Sequence, residues 1–172
     1  MLKAVGALCV IAAAGSYGVV VARDYARRPR ELREARAALS MLETEIAYGA
    51  TPLPEALETV GRRCDGALAR FFTGAAEALA VRDGTTAGEA WEHSLARYSA
   101  HAPLRPEDLA ALGSLGAVLG NSDREDQTRH LRLAGERLKI LAARADDEAR
   151  RNVRLWRYLG FLAGAAVALV IC

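Results

Sequence analysis

Two apolar stretches stand at opposite ends of this 172-residue chain, Leu2 to Ala22 and Leu159 to Cys172, and each meets an arginine cluster on the side facing the middle. The first stretch carries one charge, Lys3. At about 1.5 Å per residue, a helix of that length crosses a bilayer core. Arg23, Arg27, Arg28, Arg30, Arg33 and Arg36 follow it, and Arg150, Arg151, Arg154 and Arg157 lead into the second. Basic flanks stay in the cytoplasm and suit anionic headgroups. The pattern predicts a transmembrane helix over 1–22, a cytoplasmic domain over 23–154 and a second transmembrane helix over 155–172. Both termini then lie on the non-cytoplasmic side of a cell membrane.

A cleaved secretory signal would carry its positive residues ahead of the apolar run, whereas here the dense cluster follows it. Cys9 is preceded by the bulky Leu8, which disfavours a lipoprotein cleavage site. The second run is short for a span, and Trp156 and Tyr158 sit where an interfacial aromatic belt is expected. As a water-exposed helix it would leave an apolar surface with little to cover it.

Without the two ends, enough chain remains for one domain of ordinary size. Net charge is +2 from 23 basic and 21 acidic residues, with the basic excess beside the predicted membrane segments, so nucleic-acid binding is not indicated. Ala, Leu, Arg and Glu are abundant and no alternating Val/Ile/Thr run occurs, which reads as all-α. Cys9, Cys64 and Cys172 are scattered and odd in number, giving no disulfide framework.

Six helices are expected. The first begins near Arg30, after Pro29, and buries Leu32, Ala35, Leu39, Leu42 and Ile46 at 3,4-spacing, with Gly49 as a left-handed terminator. Thr51 is expected to cap the second, which has Pro52 at its first position and Leu53, Ala56, Leu57 and Val60 inward. A third carries Leu68, Phe71, Phe72, Ala75, Ala78 and Leu79 and stops at Asp83-Gly84. Thr86 and Glu89 form a capping box for a fourth with Ala90, Trp91, Leu95 and Tyr98. The fifth runs from Pro106 to Gly120 on Leu109, Leu112, Leu115 and Leu119, although Gly113 and Gly116 weaken it. Ser122 and Glu125 are read as the capping box of the sixth, which buries Leu131, Ala134, Leu138, Leu141 and Ala145 and continues toward Cys172. Short connections predict an antiparallel six-helix cytoplasmic bundle flanked by N-terminal and C-terminal transmembrane helices.

Chemistry is sparse. His93, His101 and His130 are far apart; Glu89 and His93 share a helix face but read better as solvated or capping residues than as metal ligands. The acidic run Asn121–Gln127 lacks the alternation and central glycine of a calcium loop. No GxxxxGK or GxSxG occurs. No enzyme, metal or cofactor is expected. Gly160-x-x-x-Gly164 and the Ala14, Gly15 and Gly18 stripe would allow close approach of membrane helices, within one chain or between subunits, a homo-oligomer included.

Leu42-Glu43-Thr44-Glu45-Ile46-Ala47-Tyr48-Gly49, then Thr51-Pro52-Leu53-Pro54-Glu55-Ala56-Leu57, and Leu119-Gly120-Asn121-Ser122-Asp123-Arg124-Glu125-Asp126-Gln127 resemble the stage III sporulation protein AB family. The layout of arginine-rich exit, helical middle and second anchor is similar to that family over essentially the whole chain. The resemblance implies a non-enzymatic subunit of the secretion-like channel complex between mother cell and forespore, in the mother-cell membrane. Its helical domain would be similar to the inner-membrane platform proteins of type II secretion and type IV pilus machines. Its partners would then be a cytosolic ATPase like stage III sporulation protein AA and other membrane subunits. Glu45, Tyr48, Gly49, Thr51, Pro52, Leu53, Gly120, Asn121, Ser122, Asp123 and Gln127 are candidate partner-contact residues; turn and capping chemistry is the competing explanation for them. A membrane-tethered signalling or regulatory domain that binds a small ligand is the alternative function, and it requires a pocket with convergent polar groups.

Overall fold

A computed structural model describes residues 27–49, 51–81 and 84–171, with side chains as far as Arg151. The described residues are helical, without a strand among them: α1 (27–47), α2 (Leu53–Arg63), α3 (Gly66–Ala80), α4 (Ala87–Ser99), α5 (Pro106–Gly113) and α6 (Arg124–Ile171).

Several boundaries differ from the sequence reading. Residues 27–29 are already helical, so Pro29 is not the start of α1. Thr51 does not cap α2. Pro52 provides the cap carbonyl, accepting from the Ala56 N–H at 3.0 Å, while the Thr51 hydroxyl turns back to Glu45. The fifth helix ends at Gly113 instead of Gly120, and residues 114–120 form successive turns with i to i+3 bonds such as Leu115 N–H to the Leu112 carbonyl (3.2 Å). Gly113 and Gly116 are the reason, since each adds backbone entropy that α-helical bonds must overcome. At α6 the cap is Asp123, whose carboxylate accepts from the Asp126 N–H at 2.8 Å, and the Ser122 hydroxyl donates to the Val118 carbonyl. The Thr86/Glu89 box at α4 forms as read, with reciprocal bonds of 3.2 and 2.9 Å.

Two compact units divide the chain. Arg30–Ala142 forms one. Its core takes Leu32, Leu39, Leu42 and Ile46 from α1, Leu57 and Val60 from α2, and Leu68, Phe71 and Phe72 from α3. Trp91, Leu112, Leu115, Leu119, Leu131 and Leu138 complete it. Consecutive helices from α2 to α5 pack on one another. The α1 and α6 helices run antiparallel, because Glu43 pairs with Arg132 at 2.7 Å and Arg36 with Glu136 at 3.6 Å. An aromatic cluster ties α3 to α4: Phe71 meets the Trp91 ring edge-on at 4.6 Å and stacks on Tyr98 at 5.3 Å. Such pairs add about 0.5–1.5 kcal/mol beyond area burial. The Trp91 indole N–H donates to the Leu112 carbonyl at 2.9 Å, which fixes α4 against α5.

The second unit holds Met1–Pro29 with Ala143–Cys172. Among its described residues, Arg28 is buried and ion-paired with Glu148 at 3.4 Å beside the buried Ala145 and Ala149. Among the described residues no helix is long and apolar enough to cross a membrane. The span predicted over 1–22, with Gly15 and Gly18, lies outside the described residues. For 155–172, with Gly160 and Gly164, the backbone is helical to Ile171 and the side chains lie outside the description.

Candidate partner-contact surface

The end of α1 is shaped by tight packing instead of left-handed backbone. Gly49 does not adopt positive φ, unlike Gly120. A Cβ on Gly49 would lie 2.6 Å from the Thr51 hydroxyl and 2.7 Å from the Glu45 carbonyl, so the chain folds back where only a hydrogen fits. Thr51 holds this turn twice, its N–H and its hydroxyl both donating to Glu45, at 3.5 and 3.4 Å. The turn leaves Tyr48 as the most exposed large apolar side chain described, at 88%. Pro52 is exposed and Leu53 half-buried.

The second segment joins the first at one point. Gly120 has φ +81°, and a Cβ there would lie 2.5 Å from Cβ of Ala87 and 3.8 Å from Cδ2 of Leu53. The entrances to α2 and α4 and the turn before α6 thus meet at a single glycine. Past it, Asn121 and Asp123 are exposed. Gln127 folds back, its side-chain N–H donating to the Ser122 carbonyl at 2.9 Å and its backbone N–H to the Asp123 carbonyl at 3.0 Å. Arg132 bonds Glu43 through Nε (3.1 Å) and a terminal nitrogen (2.7 Å), which raises the guanidinium pKa above its ordinary value, first through that hydrogen bond and then through the carboxylate charge.

The expected contact residues therefore form two local groups, Glu45–Gly49–Thr51 and Ser122–Asp123–Gln127, with Leu53 and Gly120 as the bridge. Every buried polar side-chain atom among the described residues has a hydrogen-bond partner. Capping and turn bonds account for Thr51, Ser122, Asp123 and Gln127; Tyr48, Pro52 and Asn121 take part through their backbones, which leaves their side chains exposed. Glu43 and Arg132 were not singled out in the sequence, where nothing marks a charge pair 89 residues apart. Leu133 and Ile140 also escaped notice, at 60% and 54% exposure, although their seven-residue spacing off the buried stripe was a readable signal.

The remaining chemistry is absorbed by structure. Glu89 belongs to the α4 cap, Asp126 pairs with Arg129, and His101 Nδ1 sits 3.1 Å from the Arg97 carbonyl. Burial first, and Asp65 next, push the Cys64 thiol up, away from nucleophilic thiolate. A cleft among Ala67, Arg70, Phe71, Ser94, Arg97, Tyr98 and His101 has a volume of about 50 Å³. Pockets for organic ligands span about 300–1,000 Å³, so this cleft does not favour the small-ligand alternative. A depression of about 540 Å³ bounded by Asp123, Glu125, Asp126, Thr128, Arg129 and Arg132, within that range, is open and polar and includes part of the second segment.

The family model described as stage III sporulation protein AB matches residues 3–172. The chain belongs to that family. It is 33% identical over 171 residues, 99% of each chain, to stage III sporulation protein AB of Bacillus subtilis (strain 168). A solved structure of a stage III sporulation protein AB superposes with a TM-score of 0.67 at 32% identity, covering 72% of this chain and 97% of the other. That solved structure thus shares the helical fold described above, and none of these names specifies an enzymatic activity.

Proposed function

We propose that this chain is a non-enzymatic scaffold in the mother-cell membrane around the forespore, a platform subunit of the secretion-like complex between the two cells. It couples a cytosolic ATPase of the stage III sporulation protein AA type to neighbouring membrane subunits. Membership of a sporulation family supports the setting. The observation that carries the contact surface is the meeting of both motif segments at Gly120 and Leu53, which sets an 88%-exposed tyrosine on the same unit as an exposed loop whose Asp123 caps α6. Tyrosine is among the residues enriched at interface hot spots. The apolar ends, with Gly15, Gly18, Gly160 and Gly164, act in this reading as anchors that pack against each other or other subunits.

The test uses Tyr48→Ala, Asn121→Ala and Asp123→Ser in the full chain, the last retaining a capping oxygen. Retained melting temperature with loss of ATPase co-purification and of spores is the expected result. Wild-type recovery of ATPase with all three substitutions combined would defeat the contact assignment. Reporter fusions at Met1, Thr85 and Cys172 should read outside, cytoplasm and outside; an external signal from Thr85 would overturn the orientation.

A further inference from the structure

The cleft between α3 and α4 gathers basic groups that its own surroundings do not neutralise. Arg70 of α3 and Arg97 of α4 line it with His101, and none of the described residues lining it is acidic. Elsewhere in the bundle an arginine finds a carboxylate one helical turn away, as Arg30 does in Glu34, Arg62 in Glu58 and Arg129 in Asp126. Arg70 has Gly66, Ala67, Thr73 and Gly74 at those spacings, and Arg97 has His93, Ser94, Ala100 and His101. Neither guanidinium has an ion pair or a hydrogen bond among the described residues.

The same cleft holds a buried hydroxyl. Ser94 is 4% exposed, and its Oγ has no hydrogen-bond partner among the described residues. Thr44, Thr73 and Ser114 each donate to a carbonyl three or four residues back, and Ser94 does not. Every described polar side-chain atom cut off from solvent is bonded, so the unbonded Ser94 oxygen is the part of that residue that opens into the cleft. Gly74 of α3 leaves it uncovered, since a Cβ there would stand 3.4 Å from that oxygen. His101 Nδ1 lies 3.1 Å from the Arg97 carbonyl, an acceptor, so that nitrogen donates there and Nε2 is the one left to offer.

We propose that this cleft is a binding site for a phosphate group, carried by a soluble molecule or by a lipid headgroup. Its volume of about 50 Å³ is too small for an organic ligand, but at roughly 10–15 Å³ for a water-sized oxygen it holds about as many oxygens as one phosphate has. A larger molecule would leave the rest of itself outside. Two guanidiniums bring fixed charge that a dianion balances, and each presents its N–H groups in the fork that phosphate oxygens match. A carboxylate, with two oxygens and a single charge, leaves part of a set drawn from four side chains unmet. The Ser94 hydroxyl is what separates this site from a solvated basic patch. None of these residues belongs to the candidate contact loops, so the inference stands independently of the platform reading.

The experiment dialyses the full chain, in a maltoside detergent and phosphate-free buffer, against labelled orthophosphate. Saturable binding of one phosphate per chain is expected, with acetate at least about tenfold weaker as a competitor. Arg70→Gln with Arg97→Gln should weaken binding at least about tenfold at an unchanged melting temperature. Ser94→Ala decides between site and patch. It alters no charge and breaks no internal hydrogen bond, so its melting temperature should not fall, while affinity for orthophosphate drops about tenfold. Repeating the measurement in vesicles of phosphatidylcholine with and without phosphatidic acid separates the sources: loss of orthophosphate binding on adding phosphatidic acid assigns the site to a headgroup, unchanged binding assigns it to a soluble phosphate, and either upholds it. Absence of saturable binding, undiminished affinity in Ser94→Ala, or equal competition by acetate overturns the proposal.

Discussion

Arg132 of α6 grips Glu43 of α1 through two nitrogens on one carboxylate oxygen, at 3.1 and 2.7 Å. The contact joins helices 89 residues apart in sequence, yet the Arg132 side chain is 72% exposed, so water and salt screen it. Register, more than stability, is what it supplies. Replacing either residue by alanine should leave the melting temperature within error of wild type, and the swapped pair Glu43→Arg with Arg132→Glu should do likewise. A large loss in either single variant, measured by thermal unfolding, would show the pair to be energetically central.

Glycines at three positions should respond in different directions. Gly120→Ala forces a side chain onto left-handed backbone and sets a Cβ 2.5 Å from Ala87, a cost of about 1–3 kcal/mol. Gly49→Ala, with contacts of 2.6 and 2.7 Å, should also destabilise. Gly135 lies inside α6 with nothing within 4 Å of an added Cβ, so Gly135→Ala should stabilise by about 0.5–1 kcal/mol. Denaturant midpoints at constant m-value separate the three.

Trp91 combines a large buried surface with a spent donor. Trp91→Phe keeps most of the packing and removes one of two donors to the Leu112 carbonyl, which retains the Leu115 N–H, a loss of about 0.5–1.5 kcal/mol. Trp91→Ala opens a cavity against Phe71 and Phe72 and should cost about 3–5 kcal/mol. Equal losses in urea unfolding would contradict this account.

Alkaline pH should weaken the protein through Tyr98. Its hydroxyl is buried and donates to Glu31 at 2.6 Å, so burial first, then that bond and its charge, raise the phenol far above its ordinary value. The folded state therefore holds this proton more tightly than the unfolded one. Its stabilisation is complete below the unfolded pKa, about 10, and declines as pH rises above it. Cys64, raised in the same direction, adds to the decline. Melting temperatures measured from neutral to strongly alkaline pH should fall beyond pH of about 10, and Tyr98→Phe should flatten that limb.

Helix identity was legible because apolar residues recur on one face. Leu32, Leu39, Leu42 and Ile46 in α1, and Leu131, Leu138 and Leu141 in α6, are buried where 3,4-spacing put them. Termini were less so, since Thr51, Ser122 and Asp123 all bear capping oxygens and tertiary packing decides which is used. Thr51 is claimed by Glu45, Ser122 by Val118, and Asp123 is left to cap α6. At the contact surface, the segments were readable as motifs, but their meeting at Gly120 depends on how α2 and α4 enter the bundle.

The aromatic cluster also makes the chain its own optical probe. Of its two tryptophans, Trp91 stands within the unit Arg30–Ala142 and Trp156 falls within the other. Buried against Phe71 and Phe72, Trp91 senses little water until α3 and α4 separate. A Trp156→Phe protein thus has fluorescence that follows one unit alone. Emission from its single indole can time the loosening of the bundle while an ATPase or a membrane is present, with no dye attached.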